Sequence, residues 1–139
     1  AERAGFPHMN AVERGTFLQV FRMVQEDLFI IQAEIAGAAP RLAQEKADAL
    51  ETAIAQFSPL FPEVHSFVVP GATELGARLD IARAVARRAE RLYIRQKQKE
   101  DADNPAISAY LNRLSSLLYC LARYANHAQG ATEQPPSYQ

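Results

Sequence analysis

The chain has 139 residues, 48% of them hydrophobic and 22% charged, which suffices for one domain with a real core. Fifteen basic against sixteen acidic side chains leave a net charge of -1, so no global field draws the chain to nucleic acid or to a membrane surface. Cys120, the single cysteine, excludes an internal disulfide framework, and the absence of a spanning apolar run or signal-peptide pattern predicts a soluble, cytoplasmic protein.

Taken in order, residues 1–10 contain Gly5 and Pro7 and are expected to be flexible. From about Ala11 to Ala36, the residues Phe17, Val20, Phe21, Val24, Leu28, Ile31 and Ile35 recur at three- and four-residue steps, the signature of an amphipathic helix, and Gly37 supplies a stop. A second helix is predicted from Pro40, at a permitted first-turn position, to Phe57, with Leu42, Ala49, Leu50, Ala53 and Ile54 facing inward. Ser58-Pro59 and Phe61-Pro62 then break the chain, and an irregular connection leads to Pro70-Gly71. A long third helix is predicted over Thr73–Lys99, a stretch rich in alanine. Asn104-Pro105 reads as the N-cap and first position of a fourth, whose apolar set is Tyr110, Leu111, Leu114, Leu117, Leu118, Leu121 and Ala125. Asn112, Arg113, Ser116, Cys120 and Arg123 lie on its other side. The tail, 128–139, holds Gly130, Pro135 and Pro136 and is expected to be flexible. No alternating strand pattern and no internal repeat are present. The sequence predicts one all-α domain over 1–139, an up-and-down helical bundle of four to five helices.

Charge is concentrated in the third helix. Between Arg78 and Lys99 eight basic side chains face only Asp80 and Glu90. At about 100° per residue, Arg83, Arg87 and Glu90 fall within roughly 60° of one another. They border the arc of Leu75, Leu79, Ala82, Ala86, Ala89 and Tyr93. Alone, such a trio is most often a solvated face with an internal ion pair. Together with Asn112 and Arg113 on the next helix, it suggests a cradle for a polyphosphate or carboxylate, because the guanidinium fork matches phosphate oxygens and keeps its charge. His8, His65 and His127 are too scattered for a metal cluster. Cys120 has no histidine partner in the pattern and reads as a small interior residue. No phosphate-cradling glycine loop or nucleophile elbow appears.

Three blocks resemble a known family. Phe67-Val-Val-Pro70-Gly71-Ala-Thr-Glu-Leu, Asp80-Ile-Ala-Arg83-Ala-Val-Ala-Arg87-Arg88-Ala-Glu90-Arg91 and Tyr110-Leu-Asn112-Arg113-Leu-Ser-Ser116-Leu-Leu-Tyr119 are similar to motifs of the PduO-type ATP:cob(I)alamin adenosyltransferases. Those motifs run F-[VI]-[LI]-P-G-G, H-x-A-R-x-x-x-R-R-A-E-R and Y-L-N-R-L-S-D-x-L-F. Val24–Phe29 also resembles the family's I-Q-x-D-L-F helix. The resemblance implies a cobalamin adenosyltransferase-like bundle that assembles as a homotrimer with sites between subunits. It implies transfer of the 5′-deoxyadenosyl group of ATP to Co(I) of a corrinoid, with release of triphosphate. Carried over by motif, Arg83 and Arg87 are catalytic. Together with Glu90, Asn112 and Arg113 they bind ATP and its magnesium, and Phe67 lies under the corrin ring. ATP, Mg2+ and cobalamin are the implied ligands, with a cobalamin reductase as a further partner.

The departures are specific. The family's N-terminal T-x-T-G-D-x-G-x-T-S-L loop has no counterpart in these residues, Ser116 stands for its aspartate, Asp80 for its histidine and Ala72 for its second glycine. They leave open a truncated, non-catalytic paralogue that binds nucleotide or corrinoid. A nucleic-acid binder built on the basic third helix ranks last, since Arg83 and Arg87 border the core instead of facing outward with Arg88 and Arg95.

Overall fold

The computed structural model describes residues 9–99 and 103–139. The expectations for residues 1–8 and for the break after Lys99 lie outside them. Four α-helices follow one another: α1 (Ala11–Ile35), α2 (Gln44–Phe57), α3 (Glu74–Lys97) and α4 (Pro105–Ala128), with a short 3-10 turn at Ser58–Leu60. The described residues contain no strand, and the chain is all-α.

Pairing between helices gives their directions. Across α3 and α4, Lys97 meets Ser108, Glu90 meets Asn112 and Asp80 meets Arg123, an antiparallel register. Across α1 and α4, Glu34 meets Asn104, Asp27 meets Tyr110 and Glu13 meets Tyr124, again antiparallel. Glu51 meets Arg113 and Phe57 meets Tyr124, so α2 runs parallel to α4. The order is up-down-up-down, as predicted. Among the described residues no helix is long and apolar enough to cross a membrane.

Local chemistry sets the helix starts. Asn10 caps α1 through its side chain and Glu13 returns a bond to the Asn10 amide, a complete capping box. Gly37, at φ +89°, lies just past the end of α1, in the left-handed region that glycine occupies without strain. The predicted start of α2 at Pro40 is wrong: the helix begins at Gln44. The Leu42 amide donates to Glu34 at 2.7 Å and its carbonyl accepts from the Asn104 side chain at 3.1 Å, holding 40–43 extended between α1 and α4. Thr73 caps α3 by accepting from the Gly76 amide, and Asn104 caps α4 with Pro105 in the first turn.

The core is centred on α4, which buries sixteen of its 24 residues where α3 buries three. Phe17, Phe57 and Tyr124 pack their rings 5.0 to 6.0 Å apart between α1, α2 and α4. Asp27 is fully buried. It accepts from the Tyr110 hydroxyl at 2.8 Å and sits 3.4 Å from the Lys46 ammonium, so its charge is partnered inside the bundle. Burial, and then the Asp27 carboxylate, push the Tyr110 hydroxyl well above its ordinary range. Burial and Glu13 likewise push Tyr124 up to about 12.

Cys120 is 5% exposed, the small interior residue expected of it, and Arg123, on the side of α4 away from its apolar set, is also buried, at 3% exposure. Asp80 of α3, Glu133 of the tail and the Tyr119 ring cover Arg123, while Asn112 and Ser116 on the same side stay exposed. The tail also differs from a free segment. Glu133 lies against Arg123 and bonds Asn126, and the Gln134 carbonyl accepts from the Val69 amide at 2.8 Å.

Candidate functional site

Arg83 and Arg87, one helical turn apart on α3, face Ser115, Ser116 and Tyr119 of α4 across an open cavity of about 270 Å³. Position i and i+4 on α3 and i, i+1 and i+4 on α4 are what antiparallel neighbours bring together. Arg83 stacks over the Tyr119 ring at 5.6 Å. Among the described residues neither Arg83 nor Arg87 has a carboxylate in ion-pair range, whereas Arg78, Arg113 and Arg123 all do. The Ser115 hydroxyl donates to the Asn112 carbonyl at 2.8 Å, so the two unneutralised guanidinium groups and the exposed Ser116 hydroxyl are the donors that an anion could use here.

About one turn beyond Arg87 on α3, Glu90 accepts from the Asn112 side-chain amide at 3.2 Å and joins the two helices. Arg113 is elsewhere. It faces α2, with Nε 3.0 Å from Glu51 and a terminal nitrogen 3.2 Å from Asp48. The single cradle expected from Arg83, Arg87, Asn112 and Arg113 is therefore divided. Arg83, Arg87, Glu90 and Asn112 share the α3/α4 seam, and Arg113 occupies the α2/α4 seam.

Phe67 lies on the irregular segment before α3 with 79% of its surface exposed. It borders a cavity of about 500 Å³ between residues 61–68 and the tail, and a second of about 560 Å³ whose walls include Tyr119 and Pro135. Tyr119 therefore joins the two regions, with the Arg83/Arg87 cavity on one side and the Phe67 cavity on the other. Neither Tyr119 nor Ser115 was singled out by pattern. Their signal was available, since Asn112, Ser115, Tyr119 and Arg123 recur at helical spacing along the seam.

Other chemistry is limited. Burial pushes the Cys120 thiol up to about 11, which removes the thiolate a nucleophile needs. Among the described residues no group of three or more His, Cys, Asp or Glu side chains could hold a metal ion. Asp80, placed where the resemblance expects histidine, pairs with Arg123 at 2.8 Å.

The sequence profile described as cobalamin adenosyltransferase matches residues 6–125. The corrinoid adenosyltransferase PduO of Citrobacter freundii is 35% identical over 116 residues, covering 78% of this chain and 34% of that protein. The cobalamin adenosyltransferase of Cupriavidus metallidurans is 36% identical over 116 residues, covering 79% and 60%. This chain thus spans between a third and three fifths of the length of those two relatives. Among solved structures, a variant PduO-type ATP:corrinoid adenosyltransferase from Lactobacillus reuteri, complexed with cobalamin and ATP, superposes with a TM-score of 0.79 at 26% identity, covering 94% of this chain and 72% of that one. Matched by its fold, by a profile that covers most of its length and by relatives above one-third identity, the chain belongs to the cobalamin adenosyltransferase family.

Proposed function

We propose that this chain is a corrinoid adenosyltransferase that moves the 5′-deoxyadenosyl group of ATP to Co(I) of cobalamin. As the Co–C5′ bond forms, the C5′–O bond breaks and triphosphate leaves with its electron pair. The protein's work is to hold the reacting carbon in line, stabilise charge on the leaving group and exclude water. The observation that carries this reading is the pair Arg83 and Arg87, two guanidinium groups without carboxylate partners among the described residues, aimed at one cavity. They take the triphosphate oxygens, and Glu90 with Asn112 marks the edge where the nucleoside lies. Phe67 presents its ring to the lower face of the corrin, keeping an axial ligand off cobalt. Tyr119 spans the two substrates. Mg2+ arrives on the phosphates, since it prefers phosphate and water oxygens to an all-protein cage.

A homotrimer completes the site in this reading. Ile81, Val85 and Leu92 form an exposed apolar stripe on one side of α3, a contact face for one neighbour, and the arginine cavity is open on the other side of the same helix, within reach of a second neighbour. A cobalamin reductase supplies the electron for Co(I), and the reaction takes place in the cytoplasm.

Mixing the protein with ATP, Mg2+ and chemically reduced cobalamin tests the proposal directly. The Co(I) absorption spectrum converts to that of the alkylcobalamin. Absence of conversion by this chain and by a form extended at its N-terminus overturns it. One observation favours a second reading, a paralogue that binds without turnover. Arg113, a third candidate for the phosphates, is engaged by Asp48 and Glu51. Calorimetric binding of ATP or cobalamin in the absence of any turnover selects that alternative.

A further inference from the structure

Arg123 is 3% exposed, with Asp80 of α3 on one side and Glu133 of the tail on the other. Burial alone would lower its pKa. The charges of Glu133 and Asp80 outweigh that and raise it, so the guanidinium stays charged inside the fold. Glu133 also accepts from the Asn126 side-chain amide at 2.8 Å. Asn126, itself fully buried, accepts from the Thr73 hydroxyl at 2.6 Å, and Thr73 is the cap of α3. One residue after Glu133, the Gln134 carbonyl accepts from the Val69 amide. Residues 62–72 contain no helix or strand. Among the described residues, the Val69–Gln134 bond is their only main-chain hydrogen bond to the rest of the chain.

We propose that Glu133 is a positioning residue for Phe67. Its carboxylate, fixed on Arg123 and Asn126, sets the Gln134 carbonyl where the Val69 amide meets it, two residues from the exposed ring. An irregular segment with one main-chain tie opens at low cost. A buried ion pair, in contrast, is geometrically demanding and expensive to break from one side. The tail transfers that rigidity to the segment. The consequence for corrinoid binding rests on the functional reading above. Apparent affinity falls in proportion to the fraction of molecules whose Phe67 segment is in the competent position.

The test uses Glu133→Gln and Glu133→Ala in the full chain. Glutamine keeps an oxygen for Asn126 but loses the charge facing Arg123, and alanine loses both. Hydrogen exchange of the Val69 amide, followed by NMR, is expected to quicken from wild type to Gln to Ala. The KM for cobalamin is expected to rise about tenfold in the Ala variant, matching a tenfold loss of the competent population, with the Gln variant between. The KM for ATP stays within about twofold, because Arg83 and Arg87 lie on the other side of Tyr119. Unchanged Val69 exchange in both variants overturns the proposal, as does an equal rise in both KM values. Should Glu133→Ala fail to fold, the exchange and KM of Glu133→Gln decide alone. If wild-type protein shows no reaction with cobalamin while Val69 exchange still follows residue 133, the tether stands and the corrinoid reading falls.

Discussion

Arg87 and Arg113 carry the same group on neighbouring helices in opposite surroundings, and that difference separates a binding role from a structural one. Arg113 has two carboxylates of α2 within 3.2 Å. Those carboxylates are more than half exposed, so solvent screens the pairs and each contributes about 0.2–1 kcal/mol at most. Arg87 is exposed, has no carboxylate in range among the described residues and borders the cavity with Arg83. Its charge has no structural use there, and it is available for a ligand. Arg87→Ala is therefore expected to lower kcat/KM by about 10²–10³-fold, as removal of a donor to developing charge does. Stability, read by chemical denaturation, is expected to move by no more than about 0.5 kcal/mol, as at other surface positions free of packing. A variant that folds and turns over like wild type contradicts the assignment. Arg113→Ala gives the contrast: a small loss of stability and a smaller effect on turnover.

Between α3 and α4 the spacing is set by one glycine. A Cβ at Gly76 would meet Asn126 Oδ1 at 2.1 Å, and Asn126 holds both the α3 cap and Glu133. Two effects oppose each other in Gly76→Ala. Helix propensity favours alanine by about 1 kcal/mol. Overpacking against a fully buried side chain costs about 1–3 kcal/mol, and the displaced Asn126 loses hydrogen bonds as well. The clash wins, so denaturation is expected to show net destabilisation of about 1–3 kcal/mol. Net stabilisation would show that α3 and α4 separate easily. The helices themselves were legible because their start signals are local: Asn104-Pro105 for α4, Thr73 for α3, Gly37 for the end of α1. The start of α2 was not, because Glu34 and Asn104, distant in sequence, hold Leu42 extended. The burial of Arg123 was not legible for a related reason, since a helix contacted from several sides loses the one-sided pattern that periodicity detects. At the site, the spacing of Arg83 and Arg87 was visible along one helix. The diversion of Arg113 to α2 and the capture of Arg123 by the tail depend on tertiary pairing, which a single sequence does not display.

For the molecule as a whole, the unequal burial of the helices decides what a single chain can do. α4 is enclosed, whereas α3 leaves Ile81, Val85 and Leu92 at 65%, 48% and 52% exposure in one stripe on its outer side. Positions 81, 85 and 92 fall within roughly 40° of one another at about 100° per residue, so they form one continuous contact face. Arg83 and Arg87 lie between these residues in sequence but roughly 120–180° away from them around the helix, turned toward α4, and the cavity they border is shallow and open. In a closed ring of three, one neighbour would cover the stripe and the other could reach the opposite side of α3, where it would exclude water from the guanidinium groups and strengthen their hold on an anion. The assembly and the site are then one structure, and disrupting the first weakens the second without touching a ligand-binding side chain. Val85→Glu puts a carboxylate at the centre of the stripe, where docking would bury it without a partner at a cost of several kcal/mol. On the isolated chain the same residue is solvated and the bundle keeps its helical content. Light scattering after size exclusion is expected to show wild type as a trimer and Val85→Glu as a monomer. The KM for ATP rises in the variant, while circular dichroism stays unchanged. Wild-type protein that turns over as a monomer at micromolar concentration would refute the coupling of assembly to the site.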